Sequence, residues 1–407
     1  MSSADVIVVG AGPAGVAAAV TLVEAGRDVV VVDKARFPRD KICGDGLTTG
    51  ALRLLHRLGL DPGDVASWHS VDDVVVRGPS GHEVTFPLPR GRGTYAAVAR
   101  RADLDAALVE RARRVGAKVL DGHACTAVTE TADTVTATVE GVGEITAGFL
   151  VAADGMWSPV RKHLGLATPG YRGEWHAFRQ YFTDVGPRAA SELIVWFEPD
   201  LLPGYAWSFP LPGNRANVGF GIQRGGKVAR VQEMAALWPR LLERPHVRAV
   251  LGEDARPESP HRAWPIPARI DDAVLTGSRT LFVGDAATAT DPLTGEGIGQ
   301  ALLTGMLAAE AIVEHGPVAA AVTDAYATAA RRALVADHRM SMLLVRAVRH
   351  RKGVRLGLRL AGATDWTRRN FGRWLFEDYP RAAAVTPRRW RRGLVTGAGA
   401  YGDDRPA

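Results

Sequence analysis

An α/β fold is predicted, in which a discontinuous Rossmann-like nucleotide-binding unit carries an inserted, mostly antiparallel sheet and a C-terminal helical region. Three observations predict it. The chain opens as strand, glycine-rich turn, helix and strand. A parallel-strand pattern returns far downstream at Leu281-Phe-Val283. The stretch between is rich in tryptophan and proline and alternates with a period of two. The 407 residues, 46% apolar and 23% charged, allow two or three domains with buried cores and exclude a disordered or fibrous chain.

The elements follow in order. Val6-Ile-Val-Val9 is a continuous apolar run, as a parallel strand buried on both faces requires. Gly10-Ala-Gly12-Pro13-Ala14-Gly15 turns the chain into a helix with Val16, Val20 and Val23 at helical spacing, and Gly26 ends it. Val29 to Val32 is a second strand, closed by Asp33, so a right-handed crossover joins two parallel strands. The uncharged run Val6 to Val23 reaches the lower edge of a membrane span in length, but Gly10, Gly12, Pro13 and Gly15 break it.

A polar loop from Lys34 to Gly46 leads to a helix through Leu52, Leu55 and Leu58. A hairpin is expected over 71–88, a helix from Arg101 to Gly116, strands between Lys118 and Val139, and a strand from Phe149 to Ala153. Residues 166–267, with Trp175, Trp196, Trp207, Trp238 and Trp264, read as the antiparallel sheet plus a helix near 231–243. After Leu281-Phe-Val283 comes an Ala-rich helix ending near residue 314, then basic helices. The nucleotide unit is therefore assigned 1–77, 94–165 and 268–323, the substrate domain 78–93 and 166–267, the basic helical region 324–396, and a flexible tail 397–407.

Formal charge is +6, yet Arg331 to Arg392 alone holds seventeen Arg/Lys against four Asp/Glu. Basic surface is thus concentrated near the C-terminus. Cys43 and Cys125 make no disulfide framework and lack metal-ligand spacing, so no metal site is expected. Met1-Ser-Ser-Ala-Asp5 has no basic signal-peptide start, which points to a cytoplasmic chain.

Gly10-x-Gly12-x-x-Gly15 between strand and helix is the dinucleotide fingerprint. Its glycines permit the tight turn and the approach of a pyrophosphate to free N–H groups at the helix N-terminus. Pro13 and Ala14 complete that turn. Asp33, followed by Lys34, is placed to accept from adenosine ribose hydroxyls and would repel a 2′-phosphate. The fingerprint alone leaves NAD and FAD open.

A second patch decides for FAD. Thr280-Leu-Phe-Val-Gly284-Asp285-Ala-Ala, followed by Asp291-Pro-Leu-Thr-Gly295-Glu-Gly297-Ile298, resembles the second FAD motif of glutathione-reductase and aromatic-hydroxylase flavoproteins. In those families the Asp binds the ribityl chain, and the following helix N-terminus faces the flavin, where its dipole favours negative charge. Ala153-Asp154-Gly155-x-x-Ser158-x-Val160-Arg161 resembles their Asp-Gly motif. Arg101-x-x-Leu104-Asp105 resembles the segment whose Arg contacts the cofactor. No second fingerprint follows a strand, so a dedicated NADPH domain is not expected; NAD(P)H would bind transiently, or electrons would come from a protein such as ferredoxin or from a quinol.

A narrower resemblance covers most of residues 4–315. Phe37-Pro-Arg-Asp-Lys41-Ile-Cys43-Gly44-Asp45-Gly46 is similar to the Cys-Gly loop of the geranylgeranyl reductases, a family that includes menaquinone side-chain reductases. Pro203-Gly-Tyr205-Ala-Trp207-Ser-Phe209-Pro210, then Asn217-Val-Gly219, is similar to that family's Tyr-x-Trp-x-Phe-Pro signature. The resemblance implies that Cys43, Gly44 and Gly46 pass beside the flavin, with Cys43 the candidate catalytic group. It also implies that Tyr205, Trp207 and Phe209 bind an isoprenoid or prenylated quinone. The residues agree: on a strand those three rings share one face. Two rivals share the cofactor motifs, an FAD-dependent hydroxylase or halogenase acting on a small aromatic or polyketide product, and a non-catalytic isoprenoid carrier.

His56, His123, His163 and His261 have no partners at catalytic spacing. The C-terminal arginines interleave with Leu343, Leu344, Val348, Leu356, Leu360, Trp366, Phe371, Trp374 and Trp390. That mixture suits peripheral contact with anionic lipid on the inner membrane face, or else a solvated cap over the flavin unit, with diphosphate binding by some of the arginines a third reading. No recognition motif for nucleic acid accompanies the charge.

Overall fold

The structure, a computed structural model, describes residues 2–225, 231–390 and 395–402. Its first sheet runs in the order Lys118–Asp121, Val29–Asp33, Ser2–Val9, Gly143–Ala152, Val135–Val139, Cys125–Glu130, with Thr280–Phe282 also paired to Gly143–Ala152. The ten-residue strand Gly143–Ala152 uses one edge twice. Its first half pairs antiparallel with Val135–Val139, and its last three residues pair parallel with Thr280–Phe282. Val6, Ile7 and Val8 are fully buried, with neither face of the strand open to solvent, which is why this run carries no polar alternation.

Helix Pro13–Glu24 packs on helix Ile298–His315, and both present small side chains at the contact. A Cβ on Gly305 would lie 2.1 Å from the Ala14 carbonyl oxygen. Helix Ala319–Val348 continues this layer. Val322, Tyr326, Ala330 and Leu334 belong to the first core, and the Tyr326 hydroxyl donates to the Phe282 carbonyl. The boundary expected at 323/324 therefore falls inside a continuous helix whose first half completes the nucleotide unit.

The second sheet has the order Arg256–Pro257, Trp175–Thr183, Arg215–Gln223, Tyr205–Leu211, Leu193–Trp196, Asp73–Arg77, Glu83–Pro87, with Arg262–Ile266 on the edge of Trp175–Thr183. All pairings are antiparallel except Leu193–Trp196 with Asp73–Arg77. Asp73–Arg77, which the sequence reading left with the nucleotide unit, thus belongs to this sheet. Its valines Val74, Val75 and Val76 are buried on both faces.

Helices Arg351–Ala361 and Asp365–Leu375 cover one end of the second sheet. The tail expected to be flexible is instead bound over 397–402. Tyr95 Oη donates to the Gly397 carbonyl at 2.7 Å, Ala400 bridges Thr94, and Ala400 is buried. Residues 403–407 lie outside the described residues.

Gly305→Ala is expected to lower the unfolding free energy by about 1–3 kcal/mol, because a backbone carbonyl cannot move aside. Gly357→Ala, at an exposed helical position with open space around it, is expected to raise it by up to about 1 kcal/mol. Urea melts of the two variants check both signs.

Candidate active site

Parallel register brings the sequence motifs together. Val9 is opposite Val32 on one side and Ala152 on the other, and Ala152 is opposite Phe282. Gly10, Asp33, Asp154 and Asp285 therefore all follow the carboxyl ends of adjacent strands, where open α/β sheets bind ligands. Gly10 has φ +105°, and a Cβ there would lie 2.3 Å from the Ala153 carbonyl oxygen. A Cβ on Gly15 would lie 1.8 Å from the Gly10 oxygen, so the fingerprint turn also locks two strand ends together.

The residues fit FAD. No side chain caps the N-terminus of helix Pro13–Glu24, leaving that cradle to an anion. Asp154 Oδ2 accepts from Val160 N–H at 2.8 Å, while its buried Oδ1 has no partner. Burial holds the Asp154 carboxyl above its ordinary range. Asp33 accepts from Ala11 N–H at 2.7 Å and Ala35 N–H at 2.8 Å, bracing the turn with two of its roughly four lone-pair sites. Lys34 is exposed. Arg101, expected at the cofactor, is buried and held in a bidentate pair with Asp105, both bonds 2.8 Å. Lys41 Nζ lies 3.7 Å from Asp285 Oδ2 and 4.4 Å from the Trp264 ring centroid, tying the Cys43 loop to the second motif.

The aromatic ribbon spans the two motifs. Tyr205, Trp207 and Phe209 follow one another in a row, with centroids 6.1 and 6.0 Å apart, the first pair edge-on at 61° and the second tilted at 35°. Opposite them stand Gly221, Gly219 and Asn217. Val218 and Phe220 turn the other way, into the second core. The Trp207 indole lies over Gly219, where a Cβ would approach it to 2.4 Å. At one end the Tyr205 hydroxyl donates to the Thr294 carbonyl, next to Gly295. At the other, Phe209 would be 3.4 Å from a Cβ on Gly44 and 3.2 Å from one on Gly46. Gly297 and Ile298 begin the helix just beyond.

Asn217, Asp45 and Tyr181 carry the geometry that the sequence reading did not assign. Trp207 Nε1 donates to Asn217 Oδ1 at 3.0 Å. Asn217 Nδ2 donates to the Cys43 carbonyl at 2.9 Å and to Asp45 Oδ2 at 2.8 Å. Tyr181 Oη donates to the same Oδ2 at 2.6 Å. Asp45 is fully buried at φ +66°, and its Oδ1 has no partner. Its backbone N–H reaches Cys43 Sγ at 3.4 Å. Burial pushes the Cys43 thiol above its ordinary value.

Beneath the helix Ile298–His315, Glu296 Oε1 accepts from Gly299 N–H at 2.6 Å. Glu377, from the C-terminal region, accepts from Gln300 at 3.1 Å and Arg381 at 3.2 Å. Burial, then the neighbouring Glu377 charge, raises the Glu296 carboxyl.

Residues 3–337 match the family described as FAD binding domain. The menaquinone reductase of Mycobacterium tuberculosis is 37% identical over 329 residues, 76% of each chain. The digeranylgeranylglycerophospholipid reductase 1 of Methanopyrus kandleri is 34% identical over 317 residues, 76% of this chain and 80% of the other.

The chain belongs to the geranylgeranyl reductase family of FAD-dependent oxidoreductases.

A geranylgeranyl bacteriochlorophyll reductase-like protein from Thermoplasma acidophilum shares the fold, with TM-score 0.80, 20% identity, and coverage of 96% of this chain and 100% of the other. A flavin-dependent brominase shares it at TM-score 0.75 and 21% identity, over 95% of this chain and 98% of the other. At those identities only the fold is common ground. The geranylgeranyl reductase relatives and the FAD-binding match establish an FAD-dependent oxidoreductase enzyme.

Asp45 gives this site a pH signature. Burial pushes its carboxyl from 3.8 up to about 6, against the pull of Arg179, Tyr181 and Asn217. The folded protein holds this proton where the unfolded chain has released it. The resulting stability is present below the unfolded value and lost as pH rises through about 6. Relative to Asp45→Asn, the wild type is expected to lose about 2–3 kcal/mol between pH 4 and pH 7. Denaturant melts at the two pH values measure it, and parallel pH profiles would contradict it.

Proposed function

We propose that this enzyme saturates isolated double bonds of a prenyl chain, on a geranylgeranyl-type lipid or a menaquinone side chain. The observation that carries the reading is the ring ribbon Tyr205–Trp207–Phe209, which ends on the Thr294–Gly295 motif at one side and the Gly44–Gly46 loop at the other. The names of the relatives, menaquinone reductase and digeranylgeranylglycerophospholipid reductase, support the same substrate class.

Reduced FAD supplies the hydride. The Gly10–Gly15 turn and its helix N-terminus hold the pyrophosphate, Asp33 the ribose, and Asp154, Gly155, Gly284 and Asp285 the remainder of the cofactor. An isolated trisubstituted alkene has no carbonyl to activate it, so a proton must reach one carbon as hydride reaches the other. Positive charge then develops at the tertiary carbon. The ring of the Tyr205–Trp207–Phe209 row whose face lies over that carbon stabilises it by about 0.5–2 kcal/mol. Cys43 keeps its proton on Sγ at neutral pH because burial raises the thiol, and the Asn217 bond to its carbonyl holds the loop in place. The electron donor is NAD(P)H, ferredoxin or a quinol, and the protein is peripheral at the inner face of the membrane.

Anaerobic incubation of the reduced holoenzyme with a prenylated quinone is expected to add two hydrogens for each bond reduced, read by mass. Turnover that requires dioxygen and adds oxygen would overturn the reading in favour of a hydroxylase. Trp207→Ala is expected to slow single turnover roughly tenfold, about 1.4 kcal/mol of barrier, and Trp207→Phe to restore most of it.

A further inference from the structure

We infer that the outer face of helix Arg351–Ala361, with Trp366 beside it, is the surface on which this protein docks to an anionic bilayer. The segment lies beyond residue 337, where the FAD-binding family match ends. From His338 to Thr364 the chain holds seven Lys/Arg and no Asp/Glu. Arg351, Lys352, Arg355 and Arg359 are exposed and form no ion pair among the described residues. Arg351, Arg355 and Arg359 stand at i, i+4 spacing, where like charges repel each other. A helix built this way gains from an external anionic surface.

The helix has two apolar faces. Val354, Leu358 and Ala361 point inward and are buried in the third core. Leu356 and Leu360, one turn apart on the opposite side, are 59% and 63% exposed, and Trp366 is 69% exposed. The inner face accounts for a cap over the second sheet; it gives no reason for the outer leucines. Two apolar side chains and a tryptophan, bordered by unpaired cations, are what an interfacial helix presents to lipid. A second copy packed on the same patch would bring two cationic faces together. Between the two helices runs a groove of about 360 Å³ lined by Leu360, Trp366, Phe371 and Trp374. Phe371 packs into the apolar cluster that also contains Phe209, so the proposed docking face adjoins the packed side chains that reach the ring ribbon.

The inference deepens the prenyl-lipid reading, but its test does not depend on turnover. Holoenzyme is floated with vesicles of phosphatidylcholine alone or with one-third phosphatidylglycerol, neither containing prenyl lipid. Binding to the anionic vesicles only, weakened by salt, is the expected result. Arg355→Gln with Arg359→Gln is expected to weaken partitioning about thirtyfold, at roughly 1 kcal/mol per cation. Leu356→Ser with Leu360→Ser is expected to weaken it and leave only a salt-labile remainder. Both variants should keep wild-type flavin absorbance and Tm, since the side chains are exposed. Equal binding to neutral vesicles, or wild-type binding by both variants, overturns the proposal. So does a dimer by light scattering that the leucine variant dissociates, because the face would then be covered by a second copy. Failure here leaves the prenyl reduction standing on its own anaerobic assay.

Discussion

Register in the parallel sheet is the constraint on which the site depends. Four adjacent strands put Val32, Val9, Ala152 and Phe282 in one row at or next to their carboxyl ends, and each leads within three residues into Asp33, Gly10, Asp154 or Asp285. A slip of one residue would leave the valines of the central strands buried, because both faces are covered, but it would misalign every strand end in the row. It would also separate Gly10 from Ala153, whose backbones touch so closely that no Cβ fits between them. Binding geometry and core packing are thus enforced by the same hydrogen bonds.

The second sheet contributes through one strand pair. Tyr205–Leu211 and Arg215–Gln223 put bulk on one strand and glycine opposite it on the other, so the indole can lie flat. The polar chain behind it, Trp207 to Asn217 to Asp45 to Tyr181, is buried throughout. In a low-dielectric interior such a network holds its members firmly, and the lone Oδ1 of Asp45 is the place where it remains incomplete. Asp45 also sits in a left-handed conformation that its neighbours must maintain.

The nucleotide unit was legible because its signals are local. Glycine spacing, uninterrupted valine runs and acids at strand ends each report on the few residues around them. The ribbon was legible because a strand alternates, so Tyr205, Trp207 and Phe209 share a face whatever they touch. What could not be read was pairing across long separations. Asp73–Arg77 resembles any buried strand, and only its partner Leu193–Trp196 assigns it to the second sheet. Glu377 and Arg381, in a basic tract without motif, meet Gln300 and Asp291 only through the tertiary fold. Asn217 had a signal, its place in a motif with Gly219, but two of its three hydrogen bonds depend on a loop far upstream.

The strap made by residues 397–402 bears on biosynthesis. Gly399 donates to the Arg92 carbonyl and Thr94 to that of Ala400, so residues 92–95 are clasped by a stretch that lies about three hundred residues later in the chain. Ribosome-bound chains can assemble the opening strands and helix, yet Tyr95 must wait for Gly397 to leave the exit tunnel before its hydroxyl is satisfied. The nascent protein is therefore expected to keep that seam open until the strap itself has been synthesised and has emerged.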